Sequence, residues 1–134
     1  MTDIILELIC RLTHEHTWTY PLVPFEVPPN AERIEVSYRY PGAIGSDPHL
    51  VGGNTIDIGL FDSRGASFMG AGFRGWSGSA RTAFFLTPTE ATPGYLPGPL
   101  PPGTWAICLG AYKVADAGCE VEITVAITLG SEPP

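Results

Sequence analysis

Basic residues are scarce in this sequence of 134 residues: six Arg and a single Lys stand against fourteen acids, a formal net charge of −7. The seven are scattered along the chain, so the clustered basic surface that a nucleic-acid backbone or an anionic membrane requires is missing. The acids are scattered too, as on an ordinary solvated surface. Long apolar runs are absent: no stretch reaches the roughly 18 residues of a transmembrane helix. No basic segment precedes an apolar one at the N-terminus, so a secretory signal is absent or already removed. Uninterrupted helix-forming sequence is equally rare, because 16 Gly and 14 Pro punctuate the chain. Each Gly costs a helix interior about 1 kcal/mol and each Pro about 3 kcal/mol, which argues against a helical bundle.

Cysteine and histidine are also few, three of each. Cys10, Cys108 and Cys119 form an odd set without a C-x-x-C pair, a poor disulfide framework. Cys108 and Cys119 flank an apparent hairpin, which allows a register test. If Trp105, Ile107 and Leu109 share a core with Val121, Ile123, Val125 and Ile127, then Cys119 faces inward and Cys108 faces the other way. The expectation is three free thiols in a reducing, cytoplasmic compartment.

What the sequence does contain is apolar alternation. Hydrophobic residues make up 44% of the chain, enough for a core. Residues 33–40 alternate Ile34, Val36, Tyr38 and Tyr40 with Arg33, Glu35, Ser37 and Arg39, the pattern of a half-buried antiparallel strand. Residues 55–61 place Ile56, Ile58 and Leu60 on one side. Residues 82–86, with Phe85 inward, a hairpin over 104–128 and a short extended piece at 22–27 complete the set. Residues 4–12 fit a strand and a short helix equally well by periodicity, and the company of other strands favours strand. The chain is therefore expected to be all-β, an antiparallel sandwich or jelly roll of seven to nine strands. Residues 1–130 would form one β-sandwich domain and 131–134 a tail or the start of a linker. Two long irregular stretches, 41–54 and 87–103, interrupt the pattern, and loops of that length tend to be functional or mobile. The Pro-rich second one reads as a rigid, shaped loop.

Candidate chemistry is thin. His14-Glu15-His16-Thr17 would put two imidazoles on one face of a strand, within reach of one metal ion. It resembles the H-x-H-T start of a PHP (polymerase and histidinol phosphatase) metal site, but the flanks Arg-Leu-Thr and Trp-Thr-Tyr-Pro do not. Only His49 remains to extend the ligand set, so surface histidines at a strand end are the favoured reading of His14 and His16. Ser77 lies in the Gly-rich stretch Gly75-Trp76-Ser77-Gly78-Ser79, read as a turn, without the following helix of a nucleophile elbow. Asp57 and Asp62 could hold Ca²⁺ through oxygen ligands or simply cap turns. More informative are Arg74, Trp76, Arg81 and Tyr95, residue types that concentrate at binding hot spots.

The run Ile56-Asp57-Ile58-Gly59-Leu60-Phe61-Asp62 is followed by Phe73-Arg74-Gly75-Trp76-Ser77-Gly78-Ser79-Ala80-Arg81. Ala91-Thr92-Pro93-Gly94-Tyr95-Leu96-Pro97-Gly98-Pro99-Leu100 comes next, then Gly103-Thr104-Trp105 and Leu109-Gly110-Ala111-Tyr112-Lys113. In that order these motifs resemble the N-terminal β-sandwich domain of the carbaryl-hydrolase-type PHP metallohydrolases. A looser similarity links the chain to pre-peptidase C-terminal jelly-roll domains. The resemblance implies a non-catalytic accessory domain, without a cofactor of its own, that packs on a PHP-type catalytic domain or mediates homo-oligomerisation. The alternative is a self-standing binding or self-assembling module using its aromatic and Pro-rich loops. On either reading no catalytic residue is assigned to this chain. The expected contact surface has Tyr95, Leu96 and Trp76 as an apolar patch, rimmed by Arg74 and Arg81. Against it stands the possibility that loop 87–103 only closes the chain's own core, which would bury Tyr95 and Trp76.

Overall fold

A computed structural model of the chain describes residues 2–130. Eight strands form: β1 (Ile4–Leu12), β2 (Leu22–Val27), β3 (Ala31–Arg39), β4 (Thr55–Phe61), β5 (Phe73–Gly78), β6 (Ala83–Leu86), β7 (Gly103–Lys113) and β8 (Cys119–Leu129). They build two four-stranded antiparallel sheets, ordered β1-β8-β3-β6 and β2-β7-β4-β5. This is the strand order of an eight-stranded jelly roll, with the chain crossing between sheets at most of its turns. Among the described residues no helix is long and apolar enough to cross a membrane. The expected tail at 131–134 lies outside the described residues.

Alternation decides which face of each strand turns inward. On β3, Ile34, Val36 and Tyr38 are buried while Glu35, Ser37 and Arg39 are exposed. Opposite them β8 presents Ile127, Val125 and Ile123 in register. The second sheet answers with Ile56, Ile58 and Leu60 from β4 and Trp105, Ile107 and Leu109 from β7, all fully buried. A polar tie spans the two layers: the Tyr38 hydroxyl donates to the Ile56 carbonyl at 2.6 Å. The ambiguous segment 4–12 is a strand because β8 offers it an unbroken ladder, from Ile4 opposite Ile127 to Leu12 opposite Cys119. A helix there would leave that edge of β8 without hydrogen-bond partners.

Three expectations are corrected. The Gly-rich stretch 75–79, expected as a turn, belongs for the most part to β5 (Phe73–Gly78), an edge strand. Gly75 marks a close approach and the pairing with β4 carries two register shifts, so the segment looks nothing like an alternating strand. Phe85 is not in the core: Phe84 and Leu86 are, and the Phe85 ring lies on the outer face beneath the Arg33 guanidinium, 4.2 Å from its centroid. Finally, β7 and β8 do not pair as a hairpin, because the turn between them crosses from the second sheet to the first. The inward placement of Cys119 survives that change, and Cys10, Cys108 and Cys119 are free thiols. Because Phe84 is enclosed and Phe85 is not, Phe84→Ala should cost about 3–5 kcal/mol and Phe85→Ala under about 1.5 kcal/mol. Urea denaturation of the two variants measures this difference directly.

Candidate functional site

The side chains of β5 divide the expected patch between two faces of one strand. Arg74 points inward and is only 2% exposed. Its guanidinium donates to Asp62 Oδ2 (3.1 Å) and to the carbonyls of Leu96 (3.0 Å), Gly98 (3.2 Å) and Pro99 (2.8 Å), with the Trp105 ring at 5.4 Å. A buried guanidinium needs this many acceptors, since an unpaired charge in the interior costs several kcal/mol. The Arg64 side chain reaches the same carboxylate from the solvent side at 2.9 Å. Burial pushes the Asp62 carboxyl upward, but the hydrogen bonds from Arg64 and Arg74 prevail and hold it below the usual range.

Tyr95 is drawn in by the same loop. It is 5% exposed, stacks on Phe84 with ring centroids 3.9 Å apart, and shares a hydrogen bond with Ser77 Oγ at 2.8 Å. The loop reaches β5 only because residue 75 is glycine at φ 141°; a Cβ there would lie 2.5 Å from the Tyr95 ring. Arg74 and Tyr95 therefore belong to the interior, while Leu96 and Arg81 remain exposed and Trp76 lies half-buried on the opposite face. The five residues do not share one surface, and Arg74 acts as a clasp for the loop rather than as the rim of a patch.

The histidines are placed apart as well. Residues His14–His16 form a 3-10 turn instead of a strand end, and side chains two apart on such a turn point in different directions. The His14 Nδ1 donates to the Val114 carbonyl at 2.6 Å, and the His16 Nδ1 accepts the Thr13 N–H at 2.8 Å. Among the described residues no three His, Cys, Asp or Glu side chains come together as a metal-ligand group. Asp62 is engaged by its two arginines, and Asp57 stands apart from it on the outer face of β4.

That outer face of the second sheet is the feature the sequence reading missed. Trp76 lies flat across two strands whose outward positions are glycine. A Cβ at Gly59 would lie 2.3 Å from the indole, and one at Gly110 would lie 3.0 Å from it. Phe68 and Tyr20 pack on the same indole at 5.5 and 6.2 Å, and Phe68 also covers Phe61 and Phe73 at 5.3 and 6.1 Å. Tyr20 arrives on a strap, residues 17–21, laid along β7 by hydrogen bonds from Trp18 N–H to Ala111 O (2.6 Å) and from Ala111 N–H to Thr19 O (3.0 Å). Trp18 adopts φ 69° and is 78% exposed. Only glycine enters that backbone region freely, so the tryptophan is held there at a conformational cost. Two concavities flank it. One, of about 630 Å³, runs beneath Leu50, Val51 and Val114; the other, of about 370 Å³, has Gly110 as floor and Tyr20, Asp57 and Tyr112 as walls. Two signals were available in the sequence: glycines at the outward positions of β4 and β7, and the Trp18-Thr19-Tyr20 spacing. Neither has meaning until the strands are paired.

Compared with known proteins, the chain matches no family model and no curated protein.

Two measurements check this geometry. Arg74→Lys keeps the charge but loses the fork, and should destabilise the fold by about 3–5 kcal/mol in chemical denaturation. Asp62 has a native carboxyl held below its unfolded value of about 3.9. Its contribution is thus complete above that value and is lost as the pH falls through the lower native one. Asp62→Asn should be less stable than wild type at pH 7, and the gap should narrow as the pH falls from 5 toward 2.

Proposed function

We propose that this chain is a non-catalytic interaction domain that docks on another protein domain through the outer face of its second sheet. Exposed apolar side chains follow one another along it. Val51 and Trp18 line one concavity, Trp18 and Tyr20 line the next, Tyr20 meets Phe68 at 5.8 Å, and Met69 follows in the chain. Val51 and Met69 are each 85% exposed. An apolar surface of this kind on a soluble domain marks a contact site, and this trail is the observation that carries the reading. The resemblance in the motifs from Ile56 to Lys113 makes a PHP-type metal-dependent hydrolase domain the partner of choice. A reducing, cytoplasmic setting fits the three free thiols, of which Cys108 and Cys119 are pushed up to about 11 by burial.

A second reading, self-assembly, draws on β1. It is a nine-residue edge strand with Ile5 and Ile9 exposed on its outer face, and such an edge can pair with a second copy.

The test is to mix the chain with a carbaryl-hydrolase-type catalytic domain and follow association by size exclusion with light scattering. The double variant Val51→Ser, Met69→Ser should weaken association about tenfold or more, with a melting temperature within about 2 °C of wild type. Unchanged association, or none by the wild type, would overturn the docking reading. A homodimer dissociated by Ile9→Lys would favour the second.

A further inference from the structure

We propose that the smaller concavity on this face, between Trp18, Tyr20, Tyr112 and Asp57, is a binding site for a small organic cation of the alkylated-ammonium class. The inference does not rest on the docking reading and is tested with different residues.

Three observations converge on it. The first is the carboxylate. Asp57 extends outward from β4 opposite Gly110 of β7, and is half-buried at the boundary of two hollows. Among the described residues it accepts no hydrogen bond and forms no ion pair. The neighbouring cation, Lys113, does not reach it: the ammonium donates to the carbonyls of Asp47 (2.5 Å) and Leu50 (2.9 Å) and lies 5.5 Å from the centroid of the Tyr112 ring. Burial raises the Asp57 carboxyl above its usual range, the direction given by partial desolvation without a positive charge within reach.

The second is the set of rings. Tyr20 packs against Trp76 and Phe68, but none of the ring pairs among the described residues includes Trp18 or Tyr112. Both rings border the hollow; Tyr112 carries the Lys113 ammonium at 5.5 Å from its centroid, and Trp18 has no ring or cation partner among the described residues. Trp18 is held outward by its φ of 69° and by the hydrogen bond from its N–H to Ala111 O. Backbone strain that holds an exposed aromatic at the lip of a hollow is what a preorganised wall requires.

The third is the size and floor of the hollow. Gly110 lines the floor, and the place a Cβ would take there is filled by Asp57 Cβ at 2.9 Å and the Trp76 ring at 3.0 Å, which brings the carboxylate-bearing side chain close against the strand. The remaining space of about 370 Å³ takes a tetraalkylammonium head. Aromatic faces attract such a cation through their quadrupoles, and an adjacent carboxylate supplies the opposite charge. A neutral sugar would gain stacking from the same rings but would leave Asp57 without a counter-charge, so the cation is the better complement.

The experiment titrates the full chain with tetramethylammonium chloride while recording amide and indole NMR shifts. Sodium chloride at matched ionic strength and methyl glucopyranoside serve as controls. The expected result is saturable binding with shifts concentrated at Trp18, Tyr20, Asp57, Gly110 and Tyr112. Asp57→Asn should weaken it about tenfold or more. Trp18→Gly, which removes the ring and also relieves the positive φ, should weaken it comparably while keeping the dispersed spectrum of a folded chain. The proposal is overturned if sodium produces the same shifts, if the glucoside binds and tetramethylammonium does not, or if both variants bind as wild type does.

Discussion

The guanidinium of Arg74 is the point on which the irregular part of this molecule turns. Three segments distant in sequence converge on it: the turn after β4 through Asp62, the edge strand β5 that carries it, and the Pro-rich loop through the carbonyls of Leu96, Gly98 and Pro99. A single buried charge thereby ties a strand with weak pairing and a loop without regular structure to the same place. The prolines of the loop lower the entropy that ordering it costs, and the arginine fixes where it lies. With the loop closed, Tyr95 stacks on Phe84 and completes the core at the β5–β6 end of the sandwich. Aromatic content that looks like a binding loop is in this way absorbed by stability.

The opposite face of β5 inherits the exposed role. Because Gly59 and Gly110 leave an outward trough across β4 and β7, Trp76 can lie flat on the sheet, and Phe68 and Tyr20 can build on it. A sheet face normally solvated is thus converted into an aromatic surface. The strap carrying Trp18 and Tyr20 is held by backbone hydrogen bonds to β7, so these rings stand on a rigid element. The jelly roll supplies a stiff platform, and the glycines decide which of its faces can carry rings.

Legibility in the sequence followed the same physical division. Wherever a strand is buried on one face and solvated on the other, period-two alternation names both the element and its inward side, as for β3 from Ala31 to Arg39 and for β8 from Cys119 to Leu129. It fails where the constraint is not alternation. The four residues of β6 are apolar throughout, so parity cannot choose between Phe84 and Phe85 before the register with β3 is known. The strand β5 is shaped by close approaches at Gly75 and by irregular pairing with β4, and its glycines imitate a turn. Arg74 and Tyr95 were singled out as important, yet a residue type rich at interfaces is equally suited to a buried clasp, and only the positions of the acceptors distinguish the two. The aromatic face was invisible for a related reason: its members come from the strap, β4, β5, β7 and the loop before β5, and no sequence window holds them together.

The central claim is that aromatic side chains on the second sheet's outer face are available to a partner, while those of the Pro-rich loop are spent in the core. Hydroxyl-radical footprinting of the free chain, read residue by residue by mass spectrometry, tests it most directly. The account predicts strong modification of Trp18, Tyr20, Phe68 and Met69, with Tyr95 and Trp105 protected until the chain unfolds. Modification of Tyr95 in the folded chain at a rate comparable to Tyr20 would contradict it, because the loop would then be open and the clasp at Arg74 not formed.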